Sequence, residues 1–597
     1  MYRADSGVRQ GGIGRAGGRV LGFINDLSQE EERPMDKHVE TPADFATHEV
    51  FNQPPPLEDV NLFTSDKALR ETVAREGAGD AEASLTAFGK IVGSAETIDL
   101  GRQANAYLPV LKSFDRFGHR ADRVEFHPSY HKLMAISVAQ GLHGSPWDHL
   151  KNGLDASPKP GAVVARLAGT YMMTQVEAGH GCPITMTNAS VPALLFQPSL
   201  AKEWIPRILS REYDERFIPA GEKAGVTLGM GMTEKQGGTD VRANTTEAVP
   251  VNGGGPGAEY RITGHKWFFS APMCDAFLVL AQAPNGISCF LMPRFTPDGE
   301  PNAIRIQRLK DKVGNKSNAS SEVEFQAASG WLIGEEGRGV RNIIEMATYT
   351  RLDCAVATAG MMRQAVSQAV HHCSYRTVFQ KKLIDQPLMA NVLADLALET
   401  EAATALSFRV ARSFDRAHED EAEAAFRRIM TPVAKYWVCK RAPNLAYEAM
   451  ECLGGNGYVE EGIAGRIYRE MPVNAIWEGS GNVMCLDVLR ALMREPQALD
   501  VVFAELDRAK GANAAYDGAL DALKEAFADF GSLEGRSRQV VEQMAKVAAG
   551  SVLLQHAPSF VSDAYCATRL GRDWGDLYGT LPAGADIAAI VERARVA

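Results

Sequence analysis

Between residues 226 and 335 the sequence changes from helical patterning to β-rich patterning, and then changes back. Three short runs here are rich in β-branched and aromatic residues: 259–263, 277–280 and 287–291. The last two flank Pro284-Asn285-Gly286, and Asn-Gly between apolar runs predicts a hairpin. Helical patterns occupy about 60–220 and about 337–490. This order predicts an α+β chain in which a sheet or barrel lies between helical domains.

The length and composition favour several folded domains. At about 150 residues per domain, a chain of 597 residues corresponds to roughly four. After about residue 492 the pattern is again helical, with Val541, Met544, Val547 and Leu554 close to one helix face. The sequence contains no run of about 18 apolar residues, so no transmembrane helix is predicted. The net charge of −11 argues against a protein that coats nucleic acid.

The first 34 residues are interpreted as a flexible leader. Residues 12–17 spell G-x-G-x-x-G, but a dinucleotide-binding loop needs a preceding strand, and mostly polar residues precede this one. The leader also lacks the apolar segment of a secretory signal. We therefore expect Met35 to be the natural start.

The cysteines and histidines predict neither disulfides nor a metal centre. The nine cysteines are an odd number without a C-x-x-C pair, which is typical of buried thiols in a reducing compartment, and we expect a cytoplasmic protein. His127 and His131 are four residues apart, but Pro128 makes His127 a better helix start than a ligand. A packed or solvated histidine pair is the preferred interpretation, and no metal is expected.

Two segments in the β-rich region could bind a cofactor. In Gly231-Met232-Thr233-Glu234-Lys235-Gln236-Gly237-Gly238-Thr239-Asp240, adjacent glycines and threonine hydroxyls could hold a phosphate or a polar ring edge, although a plain turn fits equally well. In Gly264-His265-Lys266-Trp267-Phe268-Phe269-Ser270, an aromatic ring beside a hydroxyl could pack against a flavin. Three consecutive aromatics are more often part of a core.

Two more segments lie in the second helical region. Leu453-Gly454-Gly455-Asn456-Gly457-Tyr458 follows an apolar helix and could be only a helix C-cap. In Ile476-Trp477-Glu478-Gly479-Ser480-Gly481-Asn482, partial burial would raise the pKa of Glu478 and make it a proton acceptor near neutral pH. A glutamate before Gly-Ser is, on its own, more often a loop residue.

Together these four segments resemble the acyl-CoA dehydrogenase family, and within it the AidB-like branch. The form T-E-K-Q-G-G-[ST]-D, the segment G-H-K-W-F-F-S and the segment R-E-M-P-V-N-x-I-W-E-G-S-G-N carry the resemblance, and residues 47–54 add to it. It covers roughly residues 45–575. It implies the acyl-CoA dehydrogenase fold: a helical domain, a central β-barrel-like domain and a helical bundle, here with an extra C-terminal helical domain.

The boundaries expected on this basis divide the chain into five parts. They are the leader (1–34), an N-terminal helical domain (35–225), a middle β-domain (226–336), a helical bundle (337–491) and the added helical tail (492–597). Members of the family bind FAD and oxidise acyl-CoA thioesters to 2-enoyl-CoA. The resemblance also implies a homotetramer and an electron-transfer flavoprotein as acceptor.

The resemblance implies a set of FAD-contacting residues: Met232, Thr233, Gly238, Thr239, Phe268, Phe269, Ser270, Arg376, Phe379, Gly454, Gly455, Ser480 and Asn482. Phe268 stands where most members have tryptophan, and Ser270 where they have threonine. Arg376 and Phe379 match a segment that reaches the FAD of a neighbouring subunit. Gln380 and Glu451 depart from the family's glycine and glutamine, which leaves the adenine-side contacts open.

The family places its catalytic base at one of two positions. One matches Glu478, and the other matches Thr350, which cannot act as a base. Glu478 is therefore the predicted base, with Arg351 positioning it. Trp477 is larger than the usual tyrosine, so we expect a narrowed acyl pocket and a short or branched acyl-CoA.

A second function remains open at this stage. The AidB-like branch is linked to the alkylation stress response and to double-stranded DNA binding, which needs a surface that neutralises phosphates. The tail from residue 491 carries eleven basic and fifteen acidic residues. This net charge of −4 disfavours DNA. A flavoprotein with little turnover is the third possibility.

Overall fold

The computed structural model describes residues 47–596. The leader, its G-x-G-x-x-G segment and Met35 therefore lie outside the described residues. Residues 47–51 form neither helix nor strand, and a separate compact body begins at Asn52. No helix in the described part of the chain is long and apolar enough to cross a membrane.

The N-terminal part is mainly helical, as predicted. Its helices are α1 (Lys67–Val73), α2 (Glu82–Val92), α3 (Ala95–Ala106), α4 (Pro128–Gln140), α5 (Ala162–Thr174), α6 (Gly181–Leu194) and α7 (Pro198–Ile208). One antiparallel hairpin, β1 (Val110–Phe114) with β2 (Arg120–Glu125), interrupts them and was not predicted. Its strands are short and largely exposed, so they lack an apolar alternation that a sequence pattern could reveal.

The middle region is a barrel-like sheet. Its strands are β3 (Leu228–Gly231), β4 (Glu247–Pro250), β5 (Glu259–Ser270), β6 (Ala276–Ala283), β7 (Gly286–Pro293), β8 (Ile304–Leu309) and β9 (Ser320–Leu332). β5 pairs with β4 and β9, β9 with β7, β7 with β6, and β6 with β4, which closes a ring. The predicted hairpin at Asn285-Gly286 joins β6 to β7.

Long helices follow the barrel. They are α8 (Gly339–Tyr375), α9 (Pro387–Arg416), α10 (Glu421–Cys452), α11 (Ala464–Asn474) and α12 (Gly481–Arg494), with a small hairpin of β10 (Thr377–Val378) and β11 (Lys381–Lys382) after α8. The cores of α8, α9 and α10 are continuous with that of the N-terminal helices. A second core fills the barrel.

The tail is helical, as predicted. Its helices are α13 (Ala498–Asp507), α14 (Ala514–Ala528), α15 (Leu533–His556), α16 (Ser559–Tyr565) and α17 (Ile587–Ala594). Val541, Met544 and Val547 of α15 are buried in the same core as α8–α10. The tail therefore packs on the bundle and shares its hydrophobic core.

All nine cysteines lie within residues 47–596, and each is a buried free thiol. His127 is the N-cap of α4 and accepts a hydrogen bond from the Ser129 amide, while His131 bonds to Tyr213. No group of three or more potential metal ligands occurs among the described residues.

Candidate active site

Glu478 lies in the turn between α11 and α12, and its backbone is strained. Its φ is +58°, in the left-handed region that non-glycine residues rarely adopt, and Gly479 follows with φ +113°. The ammonium of Lys435, on α10, donates to the carbonyls of Trp477 (2.8 Å) and Gly479. Strain of about 1–3 kcal/mol persists only where surrounding contacts hold it, and it is concentrated at functional sites.

The Glu478 carboxylate is half-buried between helices. Its Oε2 accepts a hydrogen bond of 2.6 Å from the Thr350 hydroxyl on α8. Burial raises the pKa of Glu478, and the Thr350 hydrogen bond and the charges of Arg351 and Lys435 oppose this effect only in part. A carboxylate with a raised pKa can accept a proton near neutral pH.

Arg351 holds the same turn through the backbone. Its Nε donates to the carbonyl oxygen of Glu478 at 2.9 Å, and its Nη1 pairs with Asp487 of α12 at 2.9 Å. Arg428 donates to both carboxylate oxygens of Asp487. The structure therefore brings Arg351 beside Glu478, and its partner Asp487 carried no signal in the sequence.

Trp477 is fixed by a short chain of hydrogen bonds. Its indole Nε1 donates to the side-chain oxygen of Asn474 at 2.9 Å, and the Asn474 amide donates to the Thr358 hydroxyl of α8. The ring is partly buried against the core of the barrel. Its position beside Glu478 is therefore defined by α8 as well as by the turn.

The segment 231–240, which contains Thr233, lies beside the end of β5 on the barrel. Met230 pairs with Ser270, and the Trp267 amide donates to the carbonyl of Thr233 at 2.8 Å. A fully buried ion pair joins the two segments, because Lys266 Nζ lies 2.8 Å from Glu234 Oε1. Burial lowers the pKa of Lys266 to about 8, while the Lys266 ammonium and the Thr246 hydroxyl hold the pKa of Glu234 below its usual range. Sequence reasoning missed this pair.

The two neighbouring aromatics of β5 occupy different environments. The Phe268 ring is 48% exposed, and the Ser270 side chain is half-buried two residues further along the strand. Phe269 is fully buried and packs on Phe277, with ring centroids 4.3 Å apart. The side chain of Phe269 therefore fills the barrel core, and its contact with the cofactor stays a prediction.

Cys182, near the start of α6, lies between the barrel and the bundle. Burial raises the pKa of its thiol to about 12; the Glu478 charge adds to the shift, and hydrogen bonding by Asn318 and Ser270 opposes it. No pattern in the sequence singled out Cys182.

The remaining predicted contacts lie on three other segments. Ser480 and Asn482 are exposed at the start of α12, and Gly454 and Gly455 form a short 3-10 turn after α10. Arg376 precedes the β10–β11 hairpin, whose tip is Phe379. Phe379 is 93% exposed and has φ +50°, and Gln380 has φ +63°. An exposed aromatic on strained backbone is typical of a surface that a ligand or another chain covers.

The barrel residues fit a flavin. Phe268 offers an exposed ring face, and the Ser270 hydroxyl follows on the same strand. A Cβ at Gly238 would lie 2.4 Å from Thr233 Oγ1, so a side chain there would crowd the threonine. Met232 and Thr233 are half-buried, and Thr239 is exposed at the open end of this loop. These groups would pack against a flavin ring and bind its polar edge or its phosphates.

Three family models match consecutive parts of the chain. The adaptive response protein AidB N-terminal domain matches residues 52–215, the acyl-CoA dehydrogenase middle domain matches 229–328, and the acyl-CoA dehydrogenase C-terminal domain matches 337–493. AidB of Escherichia coli, whose name assigns it to the acyl-CoA dehydrogenases, is 48% identical over 532 residues, covering 89% of this chain and 96% of that protein.

Solved structures give the same result. Caenorhabditis elegans ACDH-11 in complex with C11-CoA has a TM-score of 0.78 and 27% identity, covering 92% of this chain and 94% of its own. The apo-form of Bd2924 has a TM-score of 0.77 and 26% identity, covering 85% and 99%. The predicted α+β fold is confirmed, and so are the expected enzyme class and cofactor. The chain belongs to the acyl-CoA dehydrogenase family, in its AidB-like branch, and is an FAD-dependent oxidoreductase.

Proposed function

We propose that this protein oxidises a short or branched acyl-CoA thioester to the 2-enoyl-CoA, with Glu478 as the base. The half-buried Glu478 carboxylate, whose pKa burial raises, carries the proposal. In the proposed reaction Glu478 takes the α-proton as the carbon–carbon double bond forms. FAD, held by the segments 231–240 and 264–270, would supply the acceptor for the hydride lost from the β-carbon. The products are the enoyl thioester and reduced FAD, so atoms and electrons balance.

The chain's own residues would orient and protect this step. Lys435 and Arg351 hold the Glu478 turn from two helices, so the carboxylate is positioned before substrate binds. The Thr350 hydroxyl stabilises the charged form of the base. The proton would be held at a carboxylate oxygen of the half-buried Glu478 side chain.

The proposed acyl size depends on Trp477. Its indole is held beside Glu478 by Asn474, which supports a narrowed pocket and a short or branched acyl group. A longer acyl chain is the second candidate, and the ligand of a relative favours it. The related ACDH-11 structure contains C11-CoA.

One experiment tests the dehydrogenase reaction and both acyl sizes. The FAD-loaded protein is mixed anaerobically with straight-chain acyl-CoAs of increasing length and with branched acyl-CoAs, and flavin bleaching is followed. We expect the fastest bleaching with short or branched acyl groups. Faster bleaching with long straight chains would support the second candidate. No bleaching by any thioester would contradict the dehydrogenase proposal.

We also propose a homotetramer in which Arg376 contacts the FAD of a neighbouring subunit. Thr350 and Tyr375 lie on the same unbroken helix α8. At 1.5 Å per residue, their separation of 25 positions corresponds to roughly 37 Å along the helix. This separation between Glu478's partner Thr350 and the β10–β11 hairpin supports binding of the hairpin to the FAD of another subunit. Light scattering of the purified protein tests the tetramer, and reduction of an electron-transfer flavoprotein by the substrate-reduced protein tests the proposed acceptor.

Binding of double-stranded DNA is the alternative that the resemblance left open, and the ion pairs of the tail argue against it. Eight of the eleven basic tail residues pair with carboxylates: Arg508, Lys510, Lys524, Arg536, Lys546, Arg569, Arg593 and Arg595. A DNA phosphate would have to compete with these partners. A salt-dependent gel shift at physiological ionic strength would support DNA binding by another surface.

A further inference from the structure

The segment from Asn52 to Pro55 runs beside two regions that carry predicted FAD contacts. One is the β10–β11 hairpin with Arg376 and Phe379, and the other is the 3-10 turn with Gly454 and Gly455. Hydrogen bonds from this segment reach both regions, which are about 70 residues apart in sequence. Neither the motifs nor the proposed reaction gave these contacts a role.

Asn52 forms a two-bond clamp with Thr377, the first residue of the hairpin. The Asn52 Nδ2 donates to the Thr377 carbonyl at 2.9 Å, and the Thr377 amide donates to Asn52 Oδ1 at 2.7 Å. The φ of Asn52 is +58°, a conformation that asparagine tolerates better than most residues. The side chain therefore takes the place of a strand partner for the hairpin.

The backbone of the same segment orients Arg376. One guanidinium nitrogen, Nη1, donates to the Asn52 carbonyl at 2.8 Å. The His371 ring donates to the Pro55 carbonyl at 2.8 Å, which anchors the segment to the end of α8. With one guanidinium nitrogen held by the chain, the remaining donors of Arg376 have a restricted set of directions for binding an anionic group.

Gln53 extends the contact to the second region. Its side-chain oxygen accepts a hydrogen bond of 3.2 Å from the Asn456 amide, within the Gly454–Gly457 turn. The hairpin tip carries two left-handed non-glycine residues, Phe379 and Gln380, so it benefits from an external restraint. A single short segment thus connects both groups of predicted FAD contacts.

We propose that Asn52 is a positioning residue for FAD, acting through Thr377 and Arg376. Its clamp holds the hairpin in the conformation that binds the cofactor, whether the FAD belongs to the same subunit or to a neighbour. Loss of the clamp leaves the hairpin free to move, so FAD binding must order it again. The inference rests on the proposed FAD contacts of Arg376 and Phe379.

The test is Asn52→Gly in the full-length protein. Glycine adopts φ +58° without strain, so the variant removes the two side-chain bonds and keeps the backbone. The protein is deflavinated and titrated with FAD, and flavin fluorescence gives Kd. We expect the Kd to rise about five- to tenfold, with an unchanged thermal unfolding midpoint for the FAD-free protein. Asn52→Asp, which keeps the acceptor for the Thr377 amide, should give a smaller increase.

Asp59→Gly is the matched control. Asp59 also has a positive φ, of +56°, and its side chain accepts one backbone hydrogen bond, from Ala95 at 3.0 Å. This control should bind FAD with the wild-type Kd. An unchanged Kd in Asn52→Gly, or an equal increase in both variants, would overturn the inference.

The two proposals fail in distinguishable ways. If wild-type protein binds FAD and acyl-CoA bleaches it, while Asn52→Gly binds FAD with unchanged Kd, only the positioning role is lost. If the wild-type protein binds FAD but no acyl-CoA bleaches it, the reaction proposal fails and the Kd comparison still decides the role of Asn52. If the wild-type protein binds no FAD, both fail.

Discussion

The hydroxyl of Thr350 donates a hydrogen bond of 2.6 Å to the carboxylate of Glu478. The two residues are 128 positions apart, one within α8 and the other in the turn before α12. Burial favours the neutral form of Glu478, whereas this bond favours its charged form. Together with the charges of Arg351 and Lys435, the balance between them sets the pH at which the base becomes available.

Thr350→Val should move the acidic limb of the kcat/KM profile to higher pH. The change removes a bond that stabilises the carboxylate, so the pKa of Glu478 rises further. The base must be deprotonated to act, so activity should be lost first at low pH. Thr350→Ser keeps a donor and should restore the wild-type profile. Superimposable Thr350→Val and wild-type profiles would show that the bond does not tune the base.

Glu478→Gln should remove substrate-dependent flavin bleaching and leave FAD binding intact. The amide has nearly the same shape but cannot accept the α-proton, and we expect a loss of about 10³-fold in the bleaching rate. Stopped-flow absorbance measures this rate. Glu460→Gln is a suitable control, because Glu460 is exposed and pairs with Arg469. A Glu478→Gln rate within tenfold of wild type would place the base elsewhere.

Trp477→Tyr should widen the acyl pocket. The smaller ring removes bulk beside Glu478 and loses the bond from the indole nitrogen to Asn474. We expect the ratio of kcat/KM for a long straight acyl-CoA to that for a short one to rise about tenfold. Asn474→Asp keeps the indole acceptor and serves as the control. An unchanged ratio in Trp477→Tyr would show that this ring does not select the acyl group.

His143→Gln should reduce the decrease in unfolding free energy that occurs at acidic pH. Burial lowers the pKa of His143 from 6.5 to about 4, and its Nε2 donates to the Ser210 carbonyl at 2.7 Å. Because the folded-state pKa lies below the unfolded value, the stabilisation is present above pH 6.5 and is lost as the pH falls towards 4. The histidine accounts for about 3 kcal/mol of that loss.

Urea denaturation of the wild type and His143→Gln at pH 7.5 and at pH 4 checks this prediction. Glutamine keeps an N–H donor but does not titrate, so the difference in unfolding free energy between the two proteins should change by about 3 kcal/mol across the range. Several other buried groups titrate in both proteins, and the comparison cancels their contribution. If the unfolding free energy falls by the same amount in both proteins between pH 7.5 and pH 4, the loss does not come from His143.

The order of the domains could be read from local patterns. Apolar periodicity changes between helical and β-type at the edges of the barrel, and Asn285-Gly286 specifies the hairpin between β6 and β7. The β1–β2 hairpin could not be predicted from the sequence, because its short exposed strands bury few side chains. Patterning reports burial, so an element with little burial leaves little signal.

The sequence also determined which chemical groups are available. Glu478 is the acid that the family motif offers as base, and the threonine at position 350 excludes the other family position. Which face each aromatic of β5 occupies was not determined. The register of β5 against β9 shifts between Lys266 and Phe269, and this irregularity accompanies an exposed Phe268 beside a buried Phe269.

Only the tertiary structure decided how distant groups meet. Thr350 reaches Glu478 across 128 positions of sequence, and Asn52 clamps Thr377 across 325. Neither of these pairs has a spacing that a local pattern could reveal. Local sequence determines backbone preference and the chemistry of each side chain, whereas pKa shifts and positioning depend on burial and contact. Burial and contact arise only when separate elements pack together.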